Sequence, residues 1–144
     1  MKLNKKSLIF LSLLTISSLS HSKEEQYICE FDTEVIIGNS TSEKPTPTVK
    51  KINEKYTFLL YGENGNYIES KNKLQGSMSV IKGTNRITLI EKNQGDNYFI
   101  VSIFTDKKLK NSTYGSIKSY LSYGKTDKFY DPSQSFGSCI HVKS

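Results

Sequence analysis

The sequence predicts an all-β domain: an antiparallel up-and-down meander of about eight or nine short strands, forming a small barrel or sandwich closed by an N-to-C disulfide. Three observations carry this. Apolar and polar residues alternate with period two along most of the chain, and no window holds a helical stripe for three turns. Turn signals recur at the short, even spacing of all-β barrels and sandwiches. Two cysteines, Cys29 and Cys139, stand near opposite ends of residues 23–144.

Residues 1–22 are set apart from the fold. Lys2, Lys5 and Lys6 make a positive n-region, and Ser7 to Leu19 form a short uncharged apolar run. Ser20-His21-Ser22 then supplies small residues at a cleavage site, placing the mature start near Lys23. This is the layout of a secretory signal peptide. The uncharged run is shorter than the ~18 residues a spanning helix needs. Cys29 lies too far behind it, past Lys23, Glu24 and Glu25, to act as a lipoprotein cysteine. The expectation is a periplasmic or secreted protein with no stable membrane anchor after cleavage, made of a single domain over residues 23–144.

Within that domain, Gln26 to Asp32 alternates as a first strand, with Thr33 to Ile37 extending it or forming a second. Residues 38–49 (GNSTSEKPTPTV) form a flexible loop, with Pro45 and Pro47 favouring extended backbone. Lys55 to Tyr61 is a clear strand. Residues 62–66 turn into a short return strand at Tyr67 to Ser70, and Leu74 to Ile81 pairs with Arg86 to Glu91 across a four-residue turn. Asn97 to Thr105 is the most apolar strand; Thr113 to Tyr123 answers it, and Phe136 to Val142 ends the sheet. Consecutive strands joined by tight turns are the default neighbours, hence the meander.

Export places Cys29 and Cys139 in an oxidising compartment, where two thiols in a small domain are usually bonded. The bond closes a loop of about 111 residues, for which chain entropy gives roughly 4–5 kcal/mol. It also requires Cα atoms closer than ~7 Å, so the first and last strands are neighbours or face each other. A zinc pair with His141 is the weaker alternative, since four ligands at short spacing are wanted and there is no CxxC. In the last strand Cys139 shares a face with His141, opposite Ile140 and Val142, and alternation alone does not say which face is interior.

Charge excludes one function class. The chain carries 20 Lys+Arg and 14 Asp+Glu; loss of residues 1–22 takes the basic count to 17 and the net charge to +3. That is too small and too dispersed for the concentrated basic stripe nucleic-acid binding needs. Catalytic signatures are absent: no GxSxG, HExxH, P-loop, GxGxxG or CxxC occurs. No metal site or cofactor is expected. The carboxylates fall mostly in or beside turns, and Asp127 and Asp131 lack the spacing of a calcium loop. His141 is the only histidine after residue 22, so an enzyme alternative is a small hydrolase with a site built around it.

The candidate binding residues lie in Thr113 to Tyr123. Tyr114, Ser116, Lys118 and Tyr120 share one face, while Ile117, Leu121 and Tyr123 share the other and are expected to be core. A tyrosine-lysine-serine stripe has the composition of a recognition surface. The same residues also serve as ordinary cross-strand partners on an exposed sheet face.

The ending Phe136-Gly137-Ser138-Cys139, the Tyr27-x-Cys29 opening and the strand Ile87-Thr88-Leu89-Ile90-Glu91 resemble small, signal-bearing periplasmic proteins of Gram-negative bacteria. Those end in Gly-x-Cys and would carry an N-to-C disulfide; the resemblance implies no activity. More loosely, Tyr27-x-Cys29 with a terminal cysteine is similar to the c-type lysozyme inhibitor family, small β-barrels whose ends are bridged. That family's Ser-Gly-x-x-Tyr motif has no match, because Ser116 to Tyr120 reads Ser-Ile-Lys-Ser-Tyr. The expected function is an exported, non-enzymatic binding or interaction protein whose partner is a protein or a small ligand. Inhibition of a hydrolase such as lysozyme is the specific alternative.

Overall fold

The computed structural model describes residues 23–36, 46–92, 97–109, 113–122 and 133–143. The expected signal segment 1–22, most of the expected 38–49 loop, and Tyr123, Asp127 and Asp131 lie outside the described residues. Eight strands succeed one another: β1 (Glu25–Ile36), β2 (Thr48–Tyr61), β3 (Asn64–Glu69), β4 (Gln75–Lys82), β5 (Arg86–Lys92), β6 (Asn97–Lys108), β7 (Tyr114–Ser122) and β8 (Ser133–Val142). Each pairs antiparallel with the next, and β8 pairs with β1, so the sheet closes into a barrel with no free edge. The fold is the expected meander, and of the two expected forms it is the barrel. Two boundaries differ from expectation. β2 begins at Thr48, where the loop was expected to run on to Val49, and β3 begins at Asn64, inside the expected turn. The turn shrinks to two residues because Gly62 takes a positive φ of 66°, a conformation that glycine adopts at little steric cost.

Period-two alternation gives each strand one inward face. Tyr27, Cys29, Phe31, Tyr56, Phe58, Leu60, Tyr67, Met78, Val80, Ile87, Leu89, Phe99, Val101, Ile103 and Cys139 form the core. The interior sets large against small: aromatic rings from β1, β2, β3 and β6 face Ser116 on β7 and Ser135 and Gly137 on β8, as small barrels do to fill their cross-section. Gly137 also admits the β1 backbone. A Cβ there would lie 2.0 Å from the Glu30 carbonyl oxygen, so any side chain would force the two strands apart.

The disulfide joins directly opposed residues of β1 and β8, with Cα atoms 4.0 Å apart. Both cysteines are fully buried, which settles the question that alternation left open: the inner face of β8 carries Cys139 and His141. The His141 ring stacks on Tyr27 at 4.7 Å, while Ile140 faces out and is exposed.

One irregularity positions the site. Between Phe31 and Thr33 the register of β1 shifts. Against β8, Phe31 opposes Gly137 and Thr33 opposes Phe136, so Asp32 is the extra residue of a bulge, whereas against β2 the partners step from Glu54 to Lys51 and the extra residue is on β2. A bulge breaks strict alternation. Residues 27, 29 and 31 point inward before it, and Glu34 joins the inner wall after it.

Candidate functional site

The two ends of the barrel differ in chemistry. Around the β2–β3 and β4–β5 turns the interior is filled by Leu60, Val80, Ile87, Tyr27 and His141. At the other end, from which the β1–β2, β3–β4, β5–β6 and β7–β8 connections leave, the interior opens into a cup of about 390 Å³. Its volume falls near the lower end of the range for small-molecule sites, roughly 300–1,000 Å³.

Aromatic residues make the floor and walls. Tyr56 lies 5.9 Å from Phe31 edge-on, 5.6 Å from Phe99 and 6.0 Å from Tyr67, and Tyr67 lies 5.3 Å from Phe99. These separations fall within the 4.5–7 Å of favourable ring pairs. Tyr120 and Leu74 complete the apolar part of the lining.

Charged groups sit on this aromatic base. Lys118 on β7 points inward, is buried, and donates a hydrogen bond and ion pair to Glu54 on β2. Its ammonium also lies over the rings of Phe31 at 5.5 Å and Tyr56 at 5.3 Å, where ring quadrupoles favour a cation. Glu34 pairs with Lys50 at 2.7 Å. Burial pushes its carboxyl up, but the Lys50 ammonium and a bond from Ser133 outweigh that and hold it below the usual carboxylate range. Glu69 is buried and accepts backbone N–H bonds from Lys71, at 2.9 Å, and Asn72. Burial again pushes up, and these two amides more than compensate, so its pKa is lowered.

Glu91 on β5 is held differently. It is only 9% exposed and accepts the Tyr67 hydroxyl at 2.9 Å. Burial raises the Tyr67 pKa first, and this bond and the charge of Glu91 raise it further. Gly76 on β4 leaves the space for this arrangement: a Cβ there would lie 2.3 Å from Glu91 Oε1 and 2.7 Å from Tyr67 Cε1.

All four residues of the expected stripe are on one face of β7, but that face is the inner one. Ser116 and Lys118 are buried, and Tyr114 and Tyr120 pack partly buried against the core. The assignment of Ile117 to the core is corrected: it takes the outer face and is only half-buried. The reason is that hydrophobicity did not rank the two faces of β7. Lys118 is accommodated inside by a carboxylate from β2, and Ser116 by its small size opposite Gly137. Of the stripe, Lys118 and Tyr120 line the cup; Tyr114 lies opposite Cys139, deeper in the barrel. The Ser116 and Ser135 hydroxyls, buried beside Lys118, have no hydrogen-bond partner among the described residues.

His141 is at the filled end, away from the cup. Its neighbour Tyr27 donates to Glu25 at 3.3 Å, and burial together with the Glu25 charge pushes the Tyr27 hydroxyl up to about 12. Among the described residues no group of three or more His, Cys, Asp or Glu side chains is placed to hold a metal ion, and no helix is long and apolar enough to cross a membrane.

Sequence reasoning missed Glu54, Glu69, Glu91, Tyr67 and Gly76. Each carboxylate shares its strand's inward parity with apolar residues, as in Tyr56-x-Phe58 after Glu54 and Ile87-x-Leu89-x-Glu91. A charge on the apolar phase at a strand's end was the available signal. No protein-family model, curated protein or solved structure matches the chain.

Proposed function

We propose that this protein is an exported, non-catalytic binding protein whose ligand site is the open mouth of the barrel. The observation that carries the proposal is the asymmetry along the barrel axis. One end is packed with side chains, and the other holds a cup of about 390 Å³ with converging Glu54, Glu91 and Lys118 over an aromatic floor. An apolar cavity with a few oriented polar groups is the usual form of a small-molecule site. Export is supported by the Lys-flanked apolar run at the N-terminus and by the buried disulfide, a bond that persists in oxidising compartments.

Neither alternative finds comparable support. A hydrolase docking onto an outward Tyr114–Tyr120 face loses its contact residues, since these line the interior. A catalytic site at His141 would have to form where that ring is stacked on Tyr27 in the filled end.

The test is a fragment titration of the isotopically labelled, disulfide-intact protein by NMR, with cationic, anionic and neutral small molecules in separate sets. At least one set is expected to shift the amides of Tyr67, Gly76, Glu91 and Tyr120 together, and Tyr120→Ala to weaken that binding about fivefold or more. If no set moves the mouth resonances, the mouth is not a ligand site.

A further inference from the structure

We propose that the mouth of the barrel recognises an organic cation, an ammonium group on a short apolar stem, and that Glu91 is its counter-charge. This rests on the mouth being the ligand site and specifies what enters it.

The number of carboxylates does not make the case; the partners they hold do. Of the four around the cup, Glu54 has the Lys118 ammonium, Glu34 has Lys50, and Glu69 has two backbone amides. Glu91 alone has no cation and no backbone donor among the described residues. Its Oε2 takes the Tyr67 hydroxyl, and its Oε1 has no hydrogen-bond partner among them. Yet Glu91 is more than nine-tenths buried and lines the cup. Buried carboxylates are ordinarily paired, so this one is set up for a partner that comes from outside.

Its surroundings narrow the partner's chemistry. Tyr67 holds the carboxylate in place, and Gly76 lets Oε1 lie against the β4 backbone, where any side chain would collide with it. Directly across the ladder from Glu91 is Phe99, whose ring meets Tyr67 at 5.3 Å and Tyr56 at 5.6 Å. A carboxylate beside an angled pair of aromatic faces suits an ammonium: the charge meets Glu91 and the desolvated C–H surface meets the rings. The same surroundings already hold a cation once, since Lys118 lies between Glu54 and the rings of Phe31 and Tyr56. An anion would meet Glu91 and Glu69 with Lys118 already engaged by Glu54, and a neutral alcohol would leave the Glu91 charge unpaired. The ammonium has two sources, a free amine or a lysine side chain offered by another protein.

The experiment compares n-butylammonium, n-butanol and butyrate, matched in size, with the tripeptide Gly-Lys-Gly, all against the full disulfide-bonded protein by NMR. Expected are saturable shifts at Glu91, Gly76, Tyr67 and Phe99 with n-butylammonium, at least tenfold weaker effects with n-butanol and butyrate, and a tenfold or greater loss in Glu91→Gln, which keeps the acceptor for Tyr67. Intermolecular NOEs from the n-butylammonium methylenes to the Tyr67 and Phe99 rings test the pose in the unmodified protein, so the proposal remains exposed even if the variant does not fold. Tripeptide binding stronger than that of the free amine assigns the source to a protein lysine, and the reverse assigns it to a small amine. Equal binding of butanol or butyrate at the mouth, unchanged affinity in Glu91→Gln, or absent NOEs overturn the cation while leaving the mouth as a ligand site. Silence of all four probes at the mouth overturns the cation as well, and the broader fragment titration then decides whether the mouth binds anything.

Discussion

Lys118 and Glu54 form an unequal pair. The lysine side chain is 8% exposed and the glutamate 30%, so removing either partner leaves a different orphan. Glu54→Gln strands an ammonium in the interior, and breaking a buried pair from that side costs about 3 kcal/mol. Lys118→Met strands a carboxylate that water still reaches and adds apolar contact with Phe31 and Tyr56, for a cost of about 1 kcal/mol or less. Denaturant unfolding of the two variants is expected to rank Glu54→Gln as clearly the less stable; equal losses would mean the lysine is not desolvated as described. Lys118 is also where sequence reading of β7 failed. Alternation grouped Tyr114, Ser116, Lys118 and Tyr120 on one face correctly, but a lysine reads as outward until its carboxylate partner, distant in sequence, is placed across the barrel.

At the scale of elements, the bulge in β1 and the β3–β4 turn shape the mouth. The bulge at Asp32 carries Glu34 onto the inner wall; without it Glu34 would keep the outward parity of Glu30 and Asp32. The turn is fastened by Glu69, whose carboxylate accepts the Lys71 and Asn72 amides and whose pKa is lowered despite burial. A depressed carboxylate contributes stability that is present above its unfolded pKa, about 4.3, and is lost as the pH falls through its folded value. Glu69→Gln is therefore expected to lower Tm at pH 7 and to converge with the unmodified protein as the pH drops below about 4. Glu25 and Glu34, also lowered, remain in the variant and keep part of its acid sensitivity. Melting curves from pH 7 to pH 3 check this, and a Tm gap that stays undiminished from pH 7 to pH 3 would show that the amide bonds to the ionised carboxylate are not its source.

For the whole molecule, closure is the governing event. The β1–β8 ladder joins segments about 110 residues apart in sequence, and the disulfide ties the same two strands at Cys29 and Cys139. With a separation of 110, the chain-entropy account gives roughly 4–5 kcal/mol, comparable to the whole stability of a small domain, roughly 5–15 kcal/mol. Cys29→Ala with Cys139→Ala is expected to lower unfolding free energy by several kcal/mol, by about 4 on that account, as read from chemical denaturation. A loss below about 1 kcal/mol would mean that the unfolded chain already keeps its ends together.

Most of the architecture was legible in the sequence because its causes are local or covalent. Two-residue alternation marks strands such as Tyr56-x-Phe58-x-Leu60, turn residues separate them, and two widely separated cysteines in a chain expected to be exported imply the bond that closes the sheet. What only the tertiary structure decided was which of two similar faces turned inward, as on β7, and which distant side chains met at the mouth. Those outcomes depend on pairings across the barrel, Lys118 with Glu54 and Glu91 with Tyr67 over Gly76, between residues 24 and 64 positions apart. No local pattern encodes such meetings, because the energy that fixes them exists only once the sheet has closed and water has left the space between them.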